Sequence, residues 1–210
     1  MCLYKKGDFK IANEPIECYK VMKYAEGNDK NRIISLYHNS LYIDTRSGYV
    51  AGDYIKAGKK LSRFKHVNRK KINNLTELNG EVVHSYIKPP MAPNWGNVVF
   101  VRCEIPMNEV FWVGNQSFFD RNEIEEYGSL SLQIKEIIKD EWRIKFKFKH
   151  RPVITYKIPS LVKLDDVIKM SEDKSVIFPQ DITGFEIYRH NTETYKIEKV
   201  YSTICVFTKN

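Results

Sequence analysis

Two histidines stand in settings suited to holding a ligand. His38 lies in Ser35-Leu-Tyr-His-Asn-Ser40 and His84 in Val82-Val-His-Ser-Tyr86, each in or beside a strand-like run and followed by small polar residues. A neutral imidazole donates at one nitrogen and accepts at the other, so both positions suit a phosphate, a ribose or a carbonyl. They are the candidate catalytic residues, although a satisfied structural histidine is the plainer reading of each. No established catalytic pattern accompanies them: Ser-His-Asp order, paired-carboxylate spacing, Gly-x-Gly-x-x-Gly and Gly-Lys-Ser/Thr loops are all missing. The densest acidic group, Asp120, Glu123, Glu125 and Glu126, reads as the polar first turn of a helix, where carboxylates meet the positive end of the dipole.

The four cysteines, Cys2, Cys18, Cys103 and Cys205, are far apart, with no Cys-x-x-Cys or Cys-x-x-His pair to organise a zinc site. No metal is therefore expected, and no cofactor unless the histidines line a nucleotide pocket. Cys18, Cys103 and Cys205 lie in apolar, strand-like runs and read as buried free thiols of a reducing compartment. Cys2 differs, because loss of Met1 would leave its thiol beside a terminal amine able to act as a base.

Charge gives the stronger physical signal. The chain of 210 residues carries 34 Lys plus Arg against 26 Asp plus Glu, a net +8. The excess is confined to residues 1–105, with 18 basic and 10 acidic residues, whereas 106–210 balance at 16 and 16. Eight cations, Lys56, Lys59, Lys60, Arg63, Lys65, Arg69, Lys70 and Lys71, fall in one stretch without an acid. Such a block meets a polyanion or remains a solvated arm; on a polyanion it would touch phosphates with little sequence readout, helped by stacking on Phe64, Tyr54 or Tyr49. A second basic feature is Trp142-Arg-Ile-Lys-Phe-Lys-Phe-Lys-His-Arg151, which alternates strictly. Strand side chains alternate faces, so Arg143, Lys145, Lys147, Lys149 and Arg151 should project from one side and Trp142, Ile144, Phe146 and Phe148 from the other. Partners for that row are a phosphate backbone or nearby acids, among them Asp140, Glu141, Glu186, Glu193 and Glu198.

The elements that must position these residues are mostly short strands, read from period-2 alternation and aromatic or β-branched enrichment. The clearest are Ile16–Lys23, Ile33–Ile43, Gly80–Ile87, Val98–Ile105, Glu109–Val113, Trp142–Lys149, Val153–Ile158, Thr183–Arg189 and Thr194–Phe207. Helical spacing of Ile124, Tyr127, Leu130, Ile134 and Ile138 predicts a helix over Asn122–Lys139, and Leu161, Leu164, Val167 and Ile168 predict another over Ser160–Ser171, capped by Ser160. Prolines at 89, 90 and 93 make Lys88–Gly96 a loop. The expected class is α+β, a mostly antiparallel or mixed β-sheet with two or three helices. It divides as a β-rich lobe over 1–127 and an antiparallel sheet with one helix over 128–210, or forms a single domain. No apolar run reaches the ~18–20 residues that span a bilayer, and the opening residues lack a secretory signal, so the expectation is a soluble, cytoplasmic protein with no membrane partner.

Over about residues 1–125, the segments Met1-Cys-Leu-Tyr, Ile11-Ala, Ile16-Glu-Cys-Tyr-Lys-Val21, Val83-His-Ser-Tyr86, Val101-Arg-Cys-Glu-Ile-Pro106 and Trp112-Val-Gly114 resemble a group of uncharacterised small proteins of gut Bacteroidales and their phages. That resemblance implies an accessory factor of phage or mobile-element type. Leu36-Tyr-His-Asn-Ser40 and Val83-His-Ser-Tyr86 also resemble segments of the ADP-ribosyltransferase-like fold, particularly RNA 2'-phosphotransferases, with Asn39 standing where that family has glycine. The latter likeness implies ADP-ribosyl or phosphate transfer using NAD, with His38 and His84 lining the pocket and the basic block binding RNA beside it.

The leading expectation is a non-enzymatic binding protein that engages nucleic acid or an acidic protein partner through its basic surfaces. The alternatives are the NAD-using enzyme and a structural or virion-associated subunit that assembles through edge strands.

Overall fold

A computed structural model describes residues 3–25, 31–35, 48–57, 77–78, 82–94, 98–116, 124–177 and 182–204. The chain divides into two compact units, the first comprising Met1–Lys88 and Val98–Ile137 and the second Pro89–Asn97 and Ile138–Asn210. The proline-rich excursion thus leaves the first unit, contributes to the second, and returns.

The first unit is one eleven-stranded sheet. Its strands are β1 (Leu3–Lys5), β2 (Lys10–Ile11), β3 (Ile16–Tyr24), β4 (Ile33–Ser35), β5 (Tyr54–Lys56), β6 (Glu77–Leu78), β7 (Val83–Tyr86), β9 (Val98–Ile105), β10 (Val110–Gln116), β11 (Ile124–Ser129) and β12 (Ser131–Ile138). They run in the order β5-β12-β9-β3-β7-β11-β10-β1-β6, with β2 on β10 and β4 on β3. The longest pairing is antiparallel β3 on β9, from Ile16 opposite Ile105 to Lys23 opposite Val98. Alternation sorts their side chains: Cys18 and Met22 of β3 and Val99, Val101, Cys103 and Ile105 of β9 join one buried cluster with Ile55, Val83, Phe111, Leu132 and Ile134. Fully burying each such aliphatic contributes on the order of 1.5–3 kcal/mol, and this cluster holds the sheet in its order.

The second unit is a five-stranded sheet, β16-β15-β13-β14-β8, formed by β8 (Ala92–Pro93), β13 (Asp140–Phe148), β14 (Ile154–Pro159), β15 (Ile182–Asn191) and β16 (Ile197–Ile204). Trp142, Ile144, Phe146, Ile158, Phe185 and Ile187 form its apolar face, against which α1 (Leu164–Ile177) packs Val167, with Leu164 and Ile168 partly buried beside it. Asp165 and Asp166 occupy the first turn of α1, where they complement the dipole. The Trp142 indole donates to the Val162 carbonyl at 2.8 Å and fixes the turn that leads into the helix.

Three expectations are corrected. The class is mostly β: α1 is the one helix among the described residues, and the described pairings are antiparallel, so an α+β fold with two or three helices does not hold. Asn122–Lys139 contributes β11 and β12 instead of a helix. Gly128 is a poor interior helix residue by about 1 kcal/mol. A bend at Leu130 also lets β11 pair with β7 and β10, while β12 pairs with β5. Consequently Glu125 and Glu126 belong to a strand, not to a helical first turn. Ser160 does not cap α1 either: its backbone N–H donates to the Asp140 carbonyl at 3.1 Å, and the helix starts four residues later, with Val167 N–H donating to the Lys163 carbonyl.

Candidate anion-binding face and a buried histidine cluster

Register fixes which side chains of the second unit share the face opposite α1. Arg143 lies between Lys157 and Tyr188, Lys145 between Thr155 and Glu186, and Glu141 between Pro159 and His190; Tyr188 in turn lies opposite Lys199. The face therefore carries Arg143, Lys145, Lys147, Lys157 and Lys199 against Glu141 and Glu186, five cations less two carboxylates, or +3.

Each carboxylate gathers its own donors. Glu186 accepts from Lys199 Nζ at 2.8 Å, Lys147 Nζ at 2.9 Å and the Tyr188 hydroxyl at 2.8 Å. Those donors, Lys199 foremost, hold the Glu186 carboxyl down at about 2. The Tyr188 ring lies under Lys145 Nζ, 4.5 Å from its centroid, with Lys199 Nζ at 5.8 Å. Glu141 is 1% exposed, and its Oε1 faces Arg143 Nε at 2.8 Å, His190 Nδ1 at 3.0 Å and Lys157 Nζ at 3.4 Å. Burial lowers the pKa of His190, reinforced by Arg143, and burial likewise lowers that of Lys157. This second group is a buried charge network, whereas the Glu186 group keeps its lysines half exposed.

The five-cation row read from the sequence is thus shorter in the structure. β13 ends at Phe148 after a register shift at Lys147/Phe148, which places Lys149 and Arg151 in the exposed bend that follows. Lys56 is exposed on β5, with Ser131 opposite. Lys59, Lys60, Arg63, Lys65, Arg69, Lys70 and Lys71 lie outside the described residues, as does His38.

His84 is buried on β7, opposite Gly128. Its Nδ1 is 3.4 Å from Glu126 Oε2, and Glu126 is 1% exposed with its other oxygen, Oε1, unpartnered among the described residues. A carboxylate against one ring nitrogen selects the imidazole tautomer, which is how an acid–base histidine is oriented; here the pair is enclosed in the sheet. Beneath it runs a feature the sequence reading passed over. Lys20 sits on the core face of β3 between Cys18 and Met22, its Nζ donates to the His84 carbonyl at 2.7 Å, and burial lowers its pKa. The signal was present in Cys18-Tyr-Lys-Val-Met22, where a lysine interrupts an apolar face at two-residue spacing.

Among the described residues no group of three or more His, Cys, Asp or Glu side chains is arranged to hold a metal ion, and no helix is long and apolar enough to cross a membrane. Fold and face together describe a mostly antiparallel β protein with a cation-rich sheet surface. Comparison with protein-family models, curated proteins and solved structures returns no match.

Proposed function

We propose that this chain is a polyanion-binding protein whose ligand is nucleic acid, held on the cationic face of the second unit and by the Lys56–Lys71 block. The observation that carries this reading is the excess of +3 on a sheet face where Lys147 and Lys199 are half exposed and Lys145 is partly exposed, while Lys157 is buried against Glu141. Phosphates contribute attraction without sequence readout, in competition with Glu186 for Lys147 and Lys199.

Fluorescence anisotropy with labelled single- and double-stranded DNA and RNA, at 50 to 200 mM salt, tests it. Releasing about three counterions predicts a loss of affinity of about 20- to 40-fold over that range, from slopes of roughly 0.7 to 0.9 per phosphate. Binding that survives the salt change unaltered refutes the reading. Tighter binding of polyglutamate than of nucleic acid shifts the ligand to an acidic protein. A salt-insensitive rise in Tm with NAD or ADP-ribose instead favours the pocket implied by His38 and His84.

A further inference from the structure

Among the described residues, the cysteines lie in the first unit. Cys18 and Cys103 are both free thiols, both 0% exposed, and stand directly opposite each other in the antiparallel β3–β9 ladder. Residues directly opposite in such a ladder have Cα atoms about 4.5–5.5 Å apart, inside the roughly 4.4–6.8 Å range that a disulfide spans. Both side chains belong to the same core cluster, so they point to the same side of the sheet. Two residues along β3, on that same side, is Lys20, whose only hydrogen-bond acceptor among the described residues is the His84 carbonyl. Burial disfavours the Lys20 ammonium, and the charges that favour it are those of Cys103, Glu126 and Cys18, so a thiolate formed at either cysteine would add to the support that Glu126 gives.

We propose that Cys18 and Cys103 are a dithiol modification site that hydrogen peroxide converts to an intramolecular disulfide, with Lys20 as the positioning cation for the attacking thiolate. One thiolate attacks a peroxide oxygen, the O–O bond breaks, and hydroxide leaves and takes up a proton, giving a sulfenic acid and one water. The opposite thiol then attacks that sulfur and expels the hydroxyl as a second water. Two thiols and one peroxide thus give one disulfide and two waters. Burial pushes the Cys18 thiol up to about 11, against the opposing pull of the Ser85 hydroxyl and Lys20, and the Cys103 thiol up to about 12, so the reaction is slow at neutral pH and faster in mild base. Peroxide is the oxidant because it is little larger than water, whereas glutathione disulfide has no route to groups that are fully enclosed.

The bond would close a loop of 85 residues (103 less 18), a span for which cross-linking stabilises strongly. The test is to incubate the full chain with hydrogen peroxide and, in parallel, with glutathione disulfide, then map peptides without reduction. The expected result is a Cys18–Cys103 linked peptide with peroxide alone, a rise in Tm of about 10 °C and its reversal by dithiothreitol. Lys20→Met should slow formation of the linked peptide at least about tenfold at pH 7. Oxidation only at Cys2 or Cys205, or linkage only at urea concentrations that unfold the chain, overturns the proposal. An unchanged rate in Lys20→Met removes the lysine from it. Because the decisive measurement uses the unaltered chain, it does not depend on whether a cysteine variant folds.

Discussion

Replacing Glu186 by Gln should move stability and ligand affinity in opposite directions. The carboxyl is held at about 2 by Lys199, Lys147 and Tyr188, against an ordinary value of 4.5. At 1.36 kcal/mol per unit the shift corresponds to at most about 3.4 kcal/mol, and solvent around two lysines that are half exposed reduces this to roughly 1–1.5 kcal/mol. The pKa is depressed on folding, so the contribution is fully present above about 4.5 and disappears as pH falls through about 2. Glu186→Gln should therefore lower Tm by about 2–5 °C at pH 7 and converge on the unaltered chain near pH 2. At the same time the variant releases Lys147 and Lys199 and raises the face from +3 to +4. Affinity for nucleic acid should rise a few-fold at 100 mM salt, and the salt slope should steepen by about 0.7–0.9. Urea or thermal unfolding across pH, with anisotropy titrations on the same samples, reads both. Weaker nucleic-acid binding by Glu186→Gln would refute the assignment of this face, and a stability loss unchanged down to pH 2 would refute the electrostatic account of Glu186.

Glu141→Gln strands Arg143 and Lys157 beside a buried neutral group and should cost about 3–5 kcal/mol, measured as a loss in urea midpoint; Lys157→Met added to it should recover part of that loss. His190 is held neutral by burial and Arg143, so stability should be complete above about 6.5 and fall as pH drops below it. His190→Gln should flatten that segment of the pH–Tm curve. Gly184 passes so close to β16 that an added Cβ would collide with the Thr203 carbonyl oxygen, so Gly184→Ala should destabilise by roughly 1–3 kcal/mol in the same unfolding assay. Asn191→Ala removes the Oδ1 that accepts from the Glu193 and Thr194 amides in the β15–β16 turn, together with the Nδ2 donation to Asp140. Its expected cost is about 1–2 kcal/mol.

β13 was legible residue by residue because its alternation is local: Trp142, Ile144 and Phe146 are buried, Arg143, Lys145 and Lys147 face away, and Glu141 and Glu186 are among the acids expected to answer them. The reading failed where distant partners decide. Ile124, Tyr127, Leu130, Ile134 and Ile138 fit a helical stripe as well as two strands, and only pairing with residues about forty to eighty positions earlier settles the matter. The pairings β12–β9 and β9–β3 leave no trace in local pattern, so neither the opposition of Cys18 and Cys103 nor the path from Lys20 to the His84 carbonyl follows from spacing alone. His84 was singled out from its neighbours, yet the carboxylate it meets was assigned to a helix, so the pair itself went unseen.

The Pro89–Asn97 excursion bears on how the chain is made. β8 leaves the ribosome with the first unit, but the strand it pairs with, β14, begins 61 residues later (154 less 93). At about 5–20 residues per second this leaves Ala92 and Pro93 without their partner for roughly 3–12 s of synthesis. During that interval the strands on either side, β7 and β9, can both join β3 and tie off the excursion as a loop. The second unit must then form around a piece of itself that the nascent chain has already anchored at both ends.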